Sequence, residues 1–379
     1  MESDYSWLLW AFPLAFALGW LASRLDLRQL RIHNRQAQAP KAYFRGLNFL
    51  LNEQQDQAID AFIEAVRNDP DTSELHFALG NLFRRRGEYE RAVRVHEHLL
   101  SRADLSRVDR HRAQHALALD YLKAGLLDRA EDALRKLEGT AHEEQALLAL
   151  LAIYERTRDW SQAGEIAGKL TQRGYGDYSG RLAHYLCEQA ATAAEGQAEP
   201  LVRKAQAIAP DAARPAIELA ALQRRAGQHR EAFETLATLA GSAPRAIGLV
   251  ARPLAESAIA ASQQARAVKI LQASHEASPS LDVLDALVLL ESDLAAARAW
   301  YVRHLEREPS LVAAAKWVAG EKLEHDEFHP QVQRALDHAA KPLTRYRCAA
   351  CGFEANRHFW QCPGCQAWDS YPARRVEEL

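Results

Sequence analysis

Four cysteines lie within the last 32 residues of this 379-residue chain, in the pairs Cys348-x-x-Cys351 and Cys362-x-x-Cys365. This spacing can present four thiolates to one metal ion, because each pair brackets a tight turn whose backbone N–H groups face the sulfurs. The rest of the chain contains one further cysteine, Cys187. We therefore predict a metal site with the four paired cysteines as ligands, in a rubredoxin-like or zinc-ribbon module. A disulfide framework is the less favoured alternative, since small secreted domains scatter their cysteines.

A four-thiolate site accepts zinc or iron, so the ligands leave both metals open, with zinc as the first expectation. Residues 344–371 are too few to bury a self-sufficient core, so metal binding is expected to supply much of the folding free energy of the module. His358, between the two pairs, is expected at the surface rather than as a fifth ligand. The aromatic residues are expected to form a small core or a docking face against the preceding helices: Tyr346, Phe353, Phe359, Trp360, Trp368 and Tyr371.

The sequence before the module predicts a helical repeat array. Alanine and leucine dominate while glycine and proline are sparse, which is typical of an almost all-helical protein. Residues 42–309 are self-similar at a spacing of about 34 residues, as in tetratricopeptide repeats. The clearest match pairs Gly46, Ala58 and Phe62 with Gly80, Ala92 and His96. A single helical hairpin cannot bury its apolar stripe alone, so we predict an all-α solenoid of roughly eight stacked repeats that binds protein partners.

The amino terminus is apolar. Residues 7–22 carry no charge, and with Tyr5 and Ser6 they would span about 27 Å as a helix, close to the hydrocarbon thickness of a bilayer. The chain starts acidic, and four basic residues follow the apolar run: Arg24, Arg28, Arg31 and Arg35. We predict a retained transmembrane helix over residues 5–22 rather than a buried helix or a cleaved signal peptide. The positive-inside rule then places the chain from Ser23 onward in the reducing cytoplasm, which suits a thiolate site.

Other candidate chemistry is weak. The formal net charge is −3 and basic residues alternate with acidic ones, which argues against nucleic-acid binding. Four histidines lie close together in sequence but lack metalloprotease spacing, and we expect them to be packed or solvated: His96, His98, His111 and His115. Phosphate-loop, nucleophile-elbow and dinucleotide motifs are absent from the sequence, so no catalytic or cofactor-binding residue is predicted beyond the metal ligands. Cys187 is expected to be buried, and Arg84-Arg85-Arg86 are expected as solvated caps at a helix end.

These patterns predict four segments. They are a membrane anchor over residues 1–23, a basic juxtamembrane linker over 24–41, a tetratricopeptide-repeat array over 42–340 and a four-cysteine metal module over 341–379.

Three stretches also carry a resemblance to a known family. They are Trp-Leu-Leu-x-x-x-Pro-Leu-Ala-x-x-Leu-Gly-Trp over residues 7–20, Ala-Tyr-Phe-Arg-Gly-Leu-Asn over 42–48, and the pair Tyr346-x-Cys348-x-x-Cys351-Gly352-Phe353 and Trp360-x-Cys362-Pro363-x-Cys365. Together with the anchor, array and module, they make the chain resemble the lipopolysaccharide assembly protein B family of Gram-negative inner membranes.

The resemblance implies a non-enzymatic adaptor of the inner membrane that helps the protease FtsH degrade the deacetylase LpxC and so limits lipopolysaccharide synthesis. It further implies contacts of the membrane segment with other regulatory membrane proteins, and it leaves homo-oligomerisation open. An iron redox protein is an alternative, although ten residues separate the inner cysteines, fewer than in free-standing rubredoxins. A general scaffold for envelope-assembly enzymes is the other alternative.

Overall fold

The computed structural model describes residues 13–20, 41–42, 44–68, 72–194, 196–321 and 326–379. This part of the chain is almost entirely helical and divides into two compact units, Met1–Ile153 and Tyr154–Leu379. The first unit contains α1, described over residues 13–20, and α2, described over 41–42 and 44–51. They are followed by α3 (Gln55–Asn68), α4 (Ser73–Arg85), α5 (Tyr89–Ser101), α6 (Arg107–Ala124) and α7 (Leu127–Arg135). The next helix, α8 (Glu143–Thr157), begins in the first unit, and its last residues, from Tyr154 onward, belong to the second.

The second unit continues the helical pairs and ends in the cysteine module. Its helices are α9 (Trp160–Gln172), α10 (Ser179–Thr192), α11 (Ala198–Ile208), α12 (Ala213–Arg225), α13 (His229–Ser242), α14 (Ile247–Ala260), α15 (Gln264–Ala277), α16 (Leu281–Leu290), α17 (Leu294–Leu305), α18 (Leu311–Ala319) and α19 (His329–Ala340). Two short strands follow, β1 (Tyr346–Arg347) and β2 (Glu354–Ala355), which pair antiparallel. The predicted all-helical repeat architecture with a small carboxy-terminal module is confirmed.

Small residues let the two helices of a pair approach closely. A Cβ atom added at Gly46 would lie 2.8 Å from the ring of Phe62, and one added at Gly80 would lie 2.5 Å from the ring of His96. Ala58 is fully buried and belongs to the same apolar cluster as Phe62. In both helix pairs the glycine therefore contacts the large ring that follows it by 16 residues. The 34-residue spacing in the sequence reflects the repetition of this contact.

His96 stands where the preceding repeat has phenylalanine, and a buried polar network compensates for the change. Its Nδ1 atom lies 2.5 Å from Oδ2 of Asp120, and both side chains are fully buried. Arg84 donates from Nη1 to Oδ1 of Asp120 at 2.8 Å and to the carbonyl of Ala116 at 3.1 Å. The prediction that Arg84 is a solvated cap was wrong, because its guanidinium turns back onto α6 to neutralise a buried carboxylate. Arg85 is exposed, as expected.

The second unit has a continuous apolar core along α12 to α18. Phe233, Leu254 and Leu284 are completely buried in it. Cys187 on α10 is 2% exposed and packs in a separate cluster with Ala183 and Ala205. The prediction that Cys187 is a buried apolar residue is confirmed, and burial raises the pKa of its thiol to about 12.

The predicted membrane anchor lies largely outside the described residues. Residues 1–12 and 21–23 of that segment are not described, and neither are residues 24–40 of the predicted linker. Residues 13–20 are helical and exposed. Across the part of the chain that the structure does describe, no helix combines the length and the apolar character that a bilayer crossing requires.

Candidate metal centre

The first cysteine pair forms a tight turn between β1 and β2. The N–H of Cys348 donates to the carbonyl of Phe353 at 2.9 Å, and the N–H of Gly352 donates back to the carbonyl of Cys348 at 2.9 Å. Gly352 has a φ of 78°, in the left-handed region that glycine adopts without steric cost. The residue after Cys351 is therefore a glycine because the chain reverses there.

The second pair repeats this turn. The N–H of Cys362 donates to the carbonyl of Ala367 at 2.9 Å, and the N–H of Gln366 donates to the carbonyl of Cys362 at 2.8 Å. Gln366, the residue after Cys365, is also left-handed, with a φ of 62°. Because a non-glycine residue rarely adopts this conformation, Gln366 marks a turn that the surrounding contacts impose.

The two turns bring four sulfur atoms together. All four Sγ atoms lie within 4.8 Å of one another, with Cys348 and Cys365 3.9 Å apart and Cys351 and Cys362 3.7 Å apart. Sulfurs at the corners of a tetrahedron about 2.3 Å from zinc are separated by about 3.8 Å, whereas a disulfide bond is about 2.05 Å long. The spacing suits a single four-coordinate ion, and no sulfur is within bonding distance of another.

The pKa values of the thiols reflect the close approach of the four sulfurs. Burial raises the pKa of Cys348, but the Ser370 hydroxyl and N–H groups of its own turn outweigh burial and lower that pKa to about 6. N–H groups of the second turn likewise outweigh burial and lower the pKa of Cys362. The N–H of Phe353 lowers the pKa of Cys351, but burial and the other sulfurs prevail and raise it to about 12. Ionisation of one thiol thus disfavours ionisation of its neighbours, and a bound divalent cation would offset the repulsion between the negative charges.

The donor set therefore fits a metal ion. Among the described residues, these four cysteines are the only group of three or more His, Cys, Asp or Glu side chains whose ligand atoms converge on one point. A bound metal would join the two turns through four coordinate bonds. The side chains around it buttress the turns: Cys348 and Cys362 are buried with Tyr346 and Tyr371, whereas Cys351 and Cys365 face the surface.

His358 is half-buried within the module. Its Nε2 atom lies 3.0 Å from the carbonyl oxygen of Tyr371, and its ring packs edge-on against Tyr346 and Trp360. The expectation of a surface residue holds only in part, because the half-buried imidazole packs against the rings of Tyr346, Trp360 and Tyr371. The expectation that His358 is not a ligand agrees with its absence from the cysteine cluster.

Trp368 docks the module on α8, α9 and α10. Its ring stacks on His184 of α10 at 4.8 Å and meets Trp160 and Tyr185 edge-on at 5.9 and 5.8 Å. Its indole Nε1 donates to Oε1 of Glu155 at 3.0 Å. The Tyr185 hydroxyl donates to the same carboxylate, so one acceptor ties the module to two helices.

A polar chain beside Trp368 extends the docking surface. Arg214, 5% exposed, donates to Oε1 of Glu188 at 2.8 Å and to Nδ1 of His184 at 3.4 Å. With Nδ1 accepting, the proton of His184 resides on Nε2, which donates to the carboxylate of Asp369 at 2.9 Å. The guanidinium of Arg214 also lies 5.8 Å from the ring of Trp360. The expected docking role thus falls to Trp360 and Trp368.

The last residues of the chain fasten the module to α16 and α18. Arg375 forms a two-pronged ion pair with Asp282, at 2.6 and 2.9 Å. Glu378 accepts the N–H of Leu281, the first residue of α16, at 2.7 Å. Glu377 accepts the N–H of Leu311, the first residue of α18, at 2.6 Å. These carboxylates accept N–H groups at two helix N-termini, and Ser310 completes the cap of α18 by accepting the N–H of Ala313 at 3.0 Å.

The aromatic prediction holds for most residues of the module. Tyr346 and Tyr371 are buried and Phe359 packs against them, which forms the expected small core. Phe353 is 45% exposed and covers Gly364 instead. Sequence reasoning did not identify Arg375, Glu377 or Glu378, because the helix starts that Glu377 and Glu378 cap lie 66 and 97 residues earlier in the chain.

Comparison with known proteins gives the family background. Residues 346–371 match a family model described as a rubredoxin metal binding domain. The chain is similar to Lipopolysaccharide assembly protein B of Escherichia coli strain K12, with 31% identity over 97% of this chain and 98% of the relative. It is also similar to the protein of that name in Haemophilus influenzae, with 28% identity over 94% of this chain and 95% of the relative.

Solved structures with a similar fold are more distant. A tetratricopeptide repeat protein from Parabacteroides merdae covers 66% of this chain and 98% of its own, with 14% identity and a TM-score of 0.35. The TPR2AB domain of yeast Sti1, solved in a complex described as pHSP90, covers 67% of this chain and 99% of its own, with 17% identity and a TM-score of 0.33.

Proposed function

Because the chain belongs to the lipopolysaccharide assembly protein B family, we propose that it acts in lipopolysaccharide assembly as a protein-binding adaptor and not as an enzyme. The observation that carries the proposal is the joint presence of a helical repeat array and a cysteine module docked on it through Trp368 and the terminal carboxylates. Such an arrangement offers binding surface and rigidity, which are what an adaptor requires.

The metal site serves this adaptor as a structural clamp. Cys348, Cys351, Cys362 and Cys365 hold the ion, and the ion holds the two turns that present Trp368 and the chain end to the array. The close packing of the module around Cys348 and Cys362 supports a structural ion, for which zinc is our assignment. Metal analysis and a visible spectrum of protein purified from its host test the assignment. A colourless site with zinc supports it, and a red, reducible iron site would favour the redox alternative.

The first unit offers the free surface for a partner. In the second unit the module already covers parts of α10, α14 and α16, through His184, Leu249 and Asp282. In the first unit, Arg85 and Lys123 are exposed. Arg85 follows Gly80 by five residues, and Lys123 follows Ala118, the small residue of its own repeat, by five residues. They therefore occupy equivalent positions on α4 and α6. This basic face suits an acidic segment of a protein partner.

The amino terminus anchors the adaptor in the inner membrane. In the described segment 13–20, Leu14, Phe16 and Leu18 each expose 60% or more of their side chains, which is unfavourable in water and favourable in lipid. The arginines after residue 23 support a cytoplasmic location for the array and the module, residues 42–340 and 341–379. Protease protection of sealed vesicles tests this topology, since digestion of the array from the periplasmic face would contradict it.

The partners we propose are the membrane protease FtsH and its substrate LpxC, with other lipopolysaccharide regulators at the membrane segment. Cys351→Ser in the host is the decisive variant, because Cys351 is exposed and its loss removes a ligand without opening a cavity. We expect this variant to remain in the membrane, to lose its metal and to lengthen the LpxC half-life several-fold after protein synthesis is stopped.

Cys187→Ala is the matched control, since Cys187 is the one cysteine outside the cluster. It should leave LpxC turnover at the parental rate. Normal LpxC turnover in Cys351→Ser, with metal loss verified in the same cells, would refute the adaptor-clamp proposal. Loss of FtsH should itself lengthen the LpxC half-life. If Cys351→Ser does not lengthen that half-life further in a strain without FtsH, the two proteins act in one pathway.

A further inference from the structure

A cleft in the second unit is used by neither the metal site nor the proposed adaptor role. It has a volume of about 980 Å³ and lies between α13, α15 and the residues 369–374 that follow the second cysteine turn. Its walls are mostly apolar, and many of the side chains that line them are alanines. The wall residues are Ala237, Ala240, Ile247, Ile270, Ala273 and Ala373.

An unsatisfied hydroxyl lines the same cleft. Ser280 is 4% exposed, and its Oγ has no hydrogen-bond partner in the part of the chain that the structure describes. Ser280 precedes α16, where a serine normally caps the helix, but here Glu378 accepts the N–H of Leu281. The side-chain carboxylate of Glu378 has thus taken over part of the capping role, which leaves the serine hydroxyl available to a ligand. A buried hydroxyl without a partner is unfavourable, so an acceptor that enters the cleft would be stabilised there.

The charged residues at the cleft favour an anion. Arg245 and Arg374 are both exposed lining residues, and Arg374 donates to Oγ of Ser278, close in sequence to Ser280. The acidic lining residue, Asp369, is engaged by His184. Two guanidinium groups and a free hydroxyl therefore stand beside apolar walls.

We propose that this cleft binds a fatty acid anion, with the unbranched acyl chain along the alanine-lined walls and the carboxylate at Arg374 and Ser280. A mostly apolar wall suits a hydrocarbon chain, which needs no hydrogen bonds along its length. A peptide would need backbone partners, and the helices that form these walls use most of theirs internally. An arginine beside a buried hydroxyl matches a carboxylate head group.

The test uses the full chain in lipid nanodiscs and dodecanoate that carries a photoreactive diazirine at its methyl end. After irradiation, mass spectrometry should locate the label within residues 237–247 and 270–280. Ala273→Trp, which places a large ring at an exposed wall position, should abolish labelling there. Arg374→Gln should lower it about fivefold, as expected for loss of one partly solvated charged contact.

Arg230→Gln is the matched control, because Arg230 is an exposed arginine near the other end of α13. It should label as the parent does. Equal labelling by a trimethylammonium analogue of the same chain length would overturn the proposal, since it would show no preference for an anion. Labelling that survives Ala273→Trp would also overturn it, and displacement of the label by peptides but not by dodecanoate would assign the cleft to a polypeptide.

Discussion

Trp368 is the side chain on which the docking of the module depends most. Its replacement by alanine removes one stacked and two edge-on ring contacts and a hydrogen bond to the Glu155 carboxylate. Complete truncation of a core tryptophan costs about 3–5 kcal/mol, and the ring here is only half-buried, so we expect a loss of about 2–3 kcal/mol in docking free energy. The population of the undocked module should then rise roughly 30- to 150-fold.

Trypsin cleavage after Arg345 can measure this population. Lys341 precedes a proline and resists trypsin, whereas the bond after Arg345 enters the buried residue Tyr346. The Arg345 carbonyl also accepts the N–H of Val376 in the docked state. Cleavage therefore requires undocking, and its rate follows the undocked population when opening and closing are fast. We expect the rate to rise roughly 30- to 150-fold in Trp368→Ala.

Two further variants separate the contributions. Trp368→Phe keeps a ring on His184 but loses the donor to Glu155, and it should raise the cleavage rate about fivefold. Phe353→Ala removes an exposed aromatic that packs within the module, on Gly364, and should cleave at nearly the parental rate. Metal content should stay at one ion in all three. If Trp368→Ala cleaves no faster than Phe353→Ala, the ring contacts do not hold the module in place.

Four further outcomes are expected. Gly80→Ala should lower the melting temperature, because its Cβ would meet the His96 ring at 2.5 Å, whereas Gly168→Ala in α9, which meets nothing within 4 Å, should raise it slightly. Glu377→Gln should destabilise the chain by about 1 kcal/mol in urea unfolding, since a neutral amide caps α18 less well. Burial lowers the pKa of His275 to about 4, below the unfolded value of about 6.5, so its stability contribution is present above about pH 6.5 and lost as pH falls. His275→Gln should therefore lose less melting temperature than the parent between about pH 7 and about pH 5. Removal of the metal by a chelator should speed amide hydrogen exchange at the start of α18. Unchanged exchange there would show that metal binding in the module does not stabilise this helix of the array.

Local patterns in the sequence predicted the elements that local physics determines. The turn at Cys348 depends on residues up to Phe353, and the close approach at Gly80 depends on a ring 16 residues later in the same helix pair. Both relations recur at fixed spacing, so periodicity alone identifies them.

The docking contacts escaped prediction because they join residues far apart in sequence. Trp368 and Glu155 are 213 residues apart, and His184 and Asp369 are 185 apart. Which repeats meet the module depends on how the second unit stacks, and no spacing rule gives that. The buried network in the first unit, however, is indicated by one residue of the sequence. His96 replaces an apolar residue at a core position of the repeat, and a buried histidine needs a partner, which Asp120 supplies.

The metal site and the last helix pairs are coupled through a very short length of chain. The first N–H groups of any helix have no acceptor within the helix, so they need other partners. Glu377 and Glu378 supply those partners to α18 and α16, and only residues 366–376 separate them from the second cysteine turn. Since metal binding orders the turn from which this segment departs, part of its free energy is expressed as order in helices that contain no ligand. The cysteines therefore act on the array without touching most of it.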